Sequence, residues 1–150
     1  AIIDQLRRCR ANTVQLVDAL PEGSHAKLRK ALPGISIVQV IHVRDEHAID
    51  QALMVHQSVD ALLLDSGNPD LAVKELGGTS RVHNWQVSRQ LVEAVAVPVF
   101  LAGGLTAGNV SQAILAVRPF GVDLCSGVRS DGALDPVKHA AFMEAVSAAT

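Results

Sequence analysis

The sequence predicts an α/β fold of parallel strands, and three observations predict it. Strand-like and helix-like segments take turns along the chain, the clearest strand-like runs are largely apolar as strands covered on both faces are, and no stretch reads as linker, repeat or low complexity. Such alternation calls for right-handed crossovers, hence a doubly wound sheet or a barrel. Length argues against a complete barrel. Eight βα units usually take about 250 residues and seldom fewer than about 200, whereas about five strands can be placed here. With 49% hydrophobic residues, residues 1–150 read as a single domain able to bury roughly two thirds of the surface of its unfolded chain.

Residues 2–10 open the chain as a helix, because Ile2, Ile3, Leu6 and Cys9 recur at the spacing that gathers one apolar stripe. Thr13-Val14-Gln15-Leu16-Val17 follows as a short strand rich in β-branched residues, closed by turn signals over 18–23. Ser24 is expected to cap a helix over 25–32, which Pro33-Gly34 ends before a strand over 35–43. A helix over about 46–57, a buried-looking strand over 60–64 and a long polar loop over 65–84 come next. A loop of that length invites a functional explanation. Beyond it the pattern predicts an amphipathic helix near 85–95, a strand over 97–101, a tight turn at Gly103-Gly104, a helix over 109–117, a strand over 121–125 and an Ala-rich helix over 136–148.

The 13 basic and 15 acidic residues are interspersed and leave a formal net charge of -2, which excludes the basic footprint that nucleic acid or anionic lipid requires. The longest apolar stretch, 95–105, is broken by Pro98 and the Gly pair and is too short to span a bilayer. The opening residues lack the apolar core and cleavage site of a secretory signal. The only two cysteines, Cys9 and Cys125, stand in helix-like and strand-like surroundings that suit reduced thiols. A cytoplasmic location is the expectation, with a small molecule as partner rather than nucleic acid or a membrane.

In parallel α/β folds ligands sit beyond the carboxyl ends of the strands, and three such ends carry chemistry: Leu64-Asp65-Ser66, Ala102-Gly103-Gly104-Leu105, and Asp123-Leu124-Cys125-Ser126-Gly127-Val128. The two glycine turns can let backbone N–H groups approach an anion, or they can simply be tight turns; their occurrence in successive units favours the anion reading. Asp65 ends an apolar strand, where partial shielding from water suits a general acid, although a cap or loop brace is the plainer role. Asp123 shares this ambiguity and lies on the same strand face as Cys125. Cys125 has no histidine placed to activate it and reads as a small buried hydrophobe. Trp85 reads as a packing residue at a helix start. The six histidines form no metal-ligand spacing, so no metal is expected.

Taken in order, Asp60-Ala61-Leu62-Leu63-Leu64-Asp65-Ser66, Gly77-Gly78-Thr79, Asn84-Trp85, Leu101-Ala102-Gly103-Gly104-Leu105-Thr106 with Asn109-Val110, Gly121-Val122-Asp123 and Ser126-Gly127-Val128 resemble the phosphoribosylanthranilate isomerase family in residues and in spacing. The resemblance runs from about Thr13 to the end of the chain. It implies a parallel (β/α)8 barrel of TIM type, of which this chain covers roughly the last five βα units. The implied reaction, in tryptophan biosynthesis, is the cofactor-free Amadori rearrangement of N-(5-phosphoribosyl)anthranilate to 1-(2-carboxyphenylamino)-1-deoxyribulose 5-phosphate. By the same resemblance Asp65 matches the general acid that opens the furanose ring, and Asp123 lies near the anthranilate side. Gly103, Gly104, Ser126, Gly127 and Val128 match the substrate phosphate site, while the loop over 77–84 helps enclose the substrate.

Departures from the family pattern accompany these matches. The family's first three strands have no counterpart, and with them are missing its basic cysteine and the arginine that holds the anthranilate carboxylate. Cys9 lies on the opening helix and does not replace that cysteine. Ser80 stands where relatives usually have Gly, Asn84 where they usually have Asp, and Gln15-Leu16-Val17-Asp18 where they usually end Gln-Leu-His-Gly. The sequence therefore predicts that the natural protein continues N-terminally or that this chain associates through the open edge of its first strand. The competing reading is a catalytically incomplete module that binds a phosphorylated ligand or serves assembly.

Overall fold

The computed structural model describes residues 2–66 and 84–150. Five strands, β1 (Thr13–Leu16), β2 (Ser36–His42), β3 (Ala61–Asp65), β4 (Val99–Leu101) and β5 (Gly121–Val122), form one sheet in which every neighbouring pair is parallel. Their order is β1-β2-β3-β4-β5. A doubly wound sheet reverses its order at a switch point, so this unbroken sequence selects the barrel-type arrangement. Among the described residues, six helices accompany the strands: α1 (Ile2–Cys9), α2 (Ser24–Ala31), α3 (His47–Val55), α4 (Trp85–Ala94), α5 (Val110–Val117) and α6 (Pro136–Ser147).

The two faces of the sheet have different partners, as the two-residue period of a strand requires. Ile37 and Ile41 of β2, Leu62 and Leu64 of β3 and Leu101 of β4 face the helices and join Ala52, Leu91, Val110 and Val117 in the main core. Val40, Leu63 and Ala102, with Val17, Val38 and Phe100 against them, form a smaller cluster on the opposite face. Asp65, two residues beyond Leu63, falls on that second face. The sheet curls about it, since Gln15 of β1 and Asp123 just past β5 line the same cavity. Gly121 lies close against its neighbouring strand's aromatic side chain: a Cβ there would lie 2.9 Å from the Phe100 ring.

Local chemistry explains most boundaries, with some departures from the sequence reading. Asn84 caps α4 by accepting from the amides of Gln86 and Val87, and Asp135 caps α6 ahead of Pro136 in the first helical position. Ser24 does not cap α2; it is the first helical residue, and Gly23 takes the cap position at φ 75 with no side-chain bond. The last strand is shorter than expected. After Val122 the chain leaves the ladder through one 3-10 turn, Ser126–Val128, and a small antiparallel hairpin, β6 (Arg129–Ser130) and β7 (Ala133–Leu134), which the sequence reading did not anticipate. At the amino ends of β2 and β3, Asp60 Oδ2 accepts from the Ile37 amide at 2.7 Å and from Arg29 at 3.0 Å. Those two donors hold its carboxyl below the ordinary range against partial desolvation.

Gln39 is a buried polar residue on the helix-facing side of β2. Its Nε2 donates to the carbonyls of Leu16, Asp18 and Val40, and its Oε1 accepts from His25 of α2. One side chain thus ties the end of β1 to α2. Replacing it with Leu keeps the bulk but strands the His25 donor and the carbonyls, so Gln39→Leu is expected to cost about 2–3 kcal/mol in urea unfolding. A loss below about 0.5 kcal/mol, the scatter of ordinary surface changes, would show that water satisfies those groups equally well.

Candidate active site

The carboxyl edge of the sheet brings three strand ends together. After β4 the chain turns through Gly103 at φ 87 and Gly104 at φ 66, a left-handed pair that side chains would strain. A Cβ on Gly103 would stand 2.8 Å from the Ser66 amide, so this turn sits against the end of β3. Asn109 braces it, accepting from the Thr106 amide at 2.8 Å and donating to the Gly104 carbonyl at 2.9 Å. Asn109 therefore ties the turn together and makes no side-chain cap bond to α5.

The turn after β5 packs directly on this first one. A Cβ on Gly127 would fall 2.1 Å from the Leu105 carbonyl oxygen, a separation no side chain tolerates, so only glycine lets the two turns meet. Between them lies a cavity of about 190 Å3, with Asp65, Gly103, Gly104, Asp123 and Ser126 in its wall. Gly127 and Val128 stand behind that wall: Gly127 is the contact point between the turns, and Val128 is buried in the main core. Cys125 also lines the cavity and is exposed, contrary to the expectation of a small buried hydrophobe, because β5 ends before reaching it. Trp85 packs against the core at the start of α4, as its position suggested. Gly77, Gly78, Thr79 and Ser80 lie outside the described residues.

Electrostatically the cavity is unusual in holding two carboxyls and, among its described lining residues, no lysine, arginine or histidine. Asp65 is only 7% exposed, and its Oδ1 accepts from the Ser66 amide at 2.7 Å. Asp123 is open on one side. The cavity wall desolvates it and the charge of Asp65 opposes its own, and both push its carboxyl above the ordinary range.

Two residues were not singled out by sequence reasoning. Gln15 lines the cavity from β1; its one signal was a polar side chain within an otherwise apolar strand. His42 stands in register with Asp65 on the neighbouring strand, donates Nε2 toward the Val17 carbonyl at 3.2 Å, and buries Nδ1 without a partner. It faces a second cleft of about 440 Å3 that also includes Asp18 and Arg44. Only the pairing register brings His42 beside Asp65, and no local motif encodes that register.

A curled parallel sheet of strictly sequential strands, with glycine turns and a buried carboxyl at its carboxyl edge, defines an α/β protein of the TIM-barrel type. The family model described as N-(5'phosphoribosyl)anthranilate (PRA) isomerase matches residues 1–145, and the chain belongs to that family. Among curated relatives, the N-(5'-phosphoribosyl)anthranilate isomerase of Methanocella arvoryzae is 37% identical over 87% of this chain and 59% of its own length. The isomerase 2 of Methanosarcina mazei is 41% identical over 87% of this chain and 58% of its own. The chain thus spans somewhat under two thirds of these relatives. The solved isomerase of Thermotoga maritima superposes with a TM-score of 0.76 at 28% identity, covering 98% of this chain and 67% of that one. The isomerase of Thermococcus kodakaraensis gives 0.74 at 30% identity, with 95% and 67% covered. An isomerase in complex with reduced 1-(o-carboxyphenylamino)-1-deoxyribulose 5-phosphate gives 0.73 at 26%, covering 98% and 65%.

Proposed function

We propose that this chain forms the last five βα units of a barrel that catalyses the Amadori rearrangement of N-(5-phosphoribosyl)anthranilate. The observation that carries the reading is the seating of Gly127 on the Leu105 carbonyl, which joins two glycine-bearing turns beside one cavity that Asp65 also lines. On this reading the substrate phosphate lies at the turns of Gly103, Gly104, Ser126, Gly127 and Val128, held by main-chain N–H groups. Asp65 gives its proton to the furanose ring oxygen. The C1–O bond breaks with its electron pair on that oxygen, and the anthranilate nitrogen supplies the pair for the C1=N bond. Loss of the C2 proton to a base then gives the enolamine, which tautomerises to the ketose. Asp123 meets the anthranilate side of the substrate.

The base, a cysteine by family resemblance, belongs on this reading to strands beyond β1 and β5. Those two are the edges of the sheet. Among the described residues no strand pairs with their outer edges, and those edges, with the half-covered Phe100 on the cavity side of the sheet, are suited to receiving further strands of the same protein or of another copy.

The test is binding before turnover. The reduced product analogue is expected to bind the chain in calorimetry, with inorganic phosphate competing. Addition of N-(5-phosphoribosyl)anthranilate is expected to show loss of anthranilate fluorescence once the missing strands are supplied. An analogue that fails to bind, or binds without competition from phosphate, would remove the reading.

A further inference from the structure

The two bonds of the Asn109 side chain reach two different peptides of the turn after β4. Oδ1 accepts from the Thr106 amide at 2.8 Å, and Nδ2 donates to the Gly104 carbonyl at 2.9 Å. The Gly104–Leu105 peptide is trans, so its carbonyl and its N–H leave one rigid plane in opposite directions. Holding the Gly104 carbonyl toward Asn109 therefore turns the Leu105 N–H away from Asn109. The Thr106 N–H is taken up by Asn109 itself.

Leu105 meets the cavity through its main chain. The residue is buried with its side chain in the main core, and its carbonyl oxygen lies against Gly127, yet it lines the cavity with Gly103 and Gly104. Its N–H is the polar group left to face that space. The positive φ angles of Gly103 and Gly104 let the chain make the turn, and Asn109 sets which way the last peptide of the turn faces.

We infer that Asn109 is a positioning residue for an anionic oxygen in this cavity, and that the Leu105 N–H it aims donates to that oxygen. A donor fixed before the ligand arrives needs no reorientation when the ligand binds. Asn109 touches no ligand; it acts through the Gly104–Leu105 peptide. The inference rests on the phosphate site of the isomerase reading and adds to it one donor and the side chain that orients that donor.

Titration of inorganic phosphate into the nitrogen-15 labelled chain, with ionic strength held constant by chloride, reads each main-chain N–H separately. In the parent the Leu105 amide proton is expected to move downfield along with the glycine amides of the turn, while that of Thr106, held by Asn109, moves little. Asn109→Ala is expected to bind phosphate about five- to tenfold more weakly, the worth of one neutral hydrogen bond, and to lose most of the Leu105 displacement at saturation. Asn109→Asp keeps an acceptor for the Thr106 amide and loses the donor to Gly104. The Leu105 displacement is expected to shrink there too, a result that bracing of Thr106 alone would not produce, and this variant carries the test should Asn109→Ala fold poorly. Ser111→Ala is the stability control: it removes the 2.6 Å bond from α5 to the Ala145 carbonyl of α6 and is expected to bind phosphate as the parent does.

A Leu105 amide that stays still while the glycine amides respond overturns the inference and leaves the phosphate site standing. Parent-like affinity and a parent-like Leu105 displacement in Asn109→Ala overturn it equally. If phosphate moves no amide of either turn, the phosphate site itself falls, and the inference with it.

Discussion

Replacing Asp65 with asparagine is expected, on the isomerase reading proposed above and once the strands beyond β1 and β5 are supplied, to lower turnover of N-(5-phosphoribosyl)anthranilate by about 10²-fold or more, a loss of roughly 2.7 kcal/mol in transition-state stabilisation. The substitution is nearly isosteric, and an asparagine oxygen can still accept the Ser66 amide that Asp65 holds at 2.7 Å. The strand end should therefore survive while the transferable proton is lost. That separates chemistry from binding: kcat falls, and affinity for the reduced product analogue stays within a few-fold. Steady-state fluorescence kinetics beside calorimetry on the same preparation read both quantities. An unchanged rate would take Asp65 out of the mechanism, and an equal loss of analogue affinity would make it a binding group.

The second large effect is expected at Gly127. Its added Cβ would lie 2.1 Å from the Leu105 carbonyl oxygen and 3.2 Å from the carbonyl carbon. The obstacle is main chain, so no rotamer change relieves it and the two turns must part. Gly127→Ala is expected to cost about 1–3 kcal/mol of stability, as overpacking does. It should also weaken phosphate competition for the analogue by at least about tenfold, because amides aligned from two turns lose their common focus. Gly108→Ala is the matched control in the same region: its nearest neighbour would be Thr106 Oγ1 at 3.7 Å, an ordinary contact. Equal behaviour of the two variants would show that the turns bind nothing in common.

Much of the fold was legible from local pattern, because the signals concerned are short-range. The apolar runs over 35–43 and 60–64 became β2 and β3, the alternation with helices became parallel pairing, and the helices expected near 85–95 and over 136–148 became α4 and α6. Local pattern failed where geometry depends on distant chain. Ser24 lost its cap role to Gly23, whose left-handed conformation carries the chain into α2. The strand expected over 121–125 stopped at Val122, and so Cys125 emerged into the cavity instead of the core. Val128 read as part of a binding turn, yet its side chain is a core residue; the turn it belongs to is anchored by burying it.

What the sequence determined by itself is the alternation of the sheet's strands with helices, and that a carboxyl and two glycine-bearing segments follow three of those strands. Spacing and residue type suffice for that, since secondary structure and turn chemistry are set within a few residues. Tertiary structure decided the rest. Gln39 became a buried clamp, His42 a neighbour of Asp65, and Asp123 a partner to its charge only when the sheet acquired its register and its curl. Register and curvature arise from packing between strands far apart in the chain, and their electrostatic consequences belong to the cavity those strands enclose.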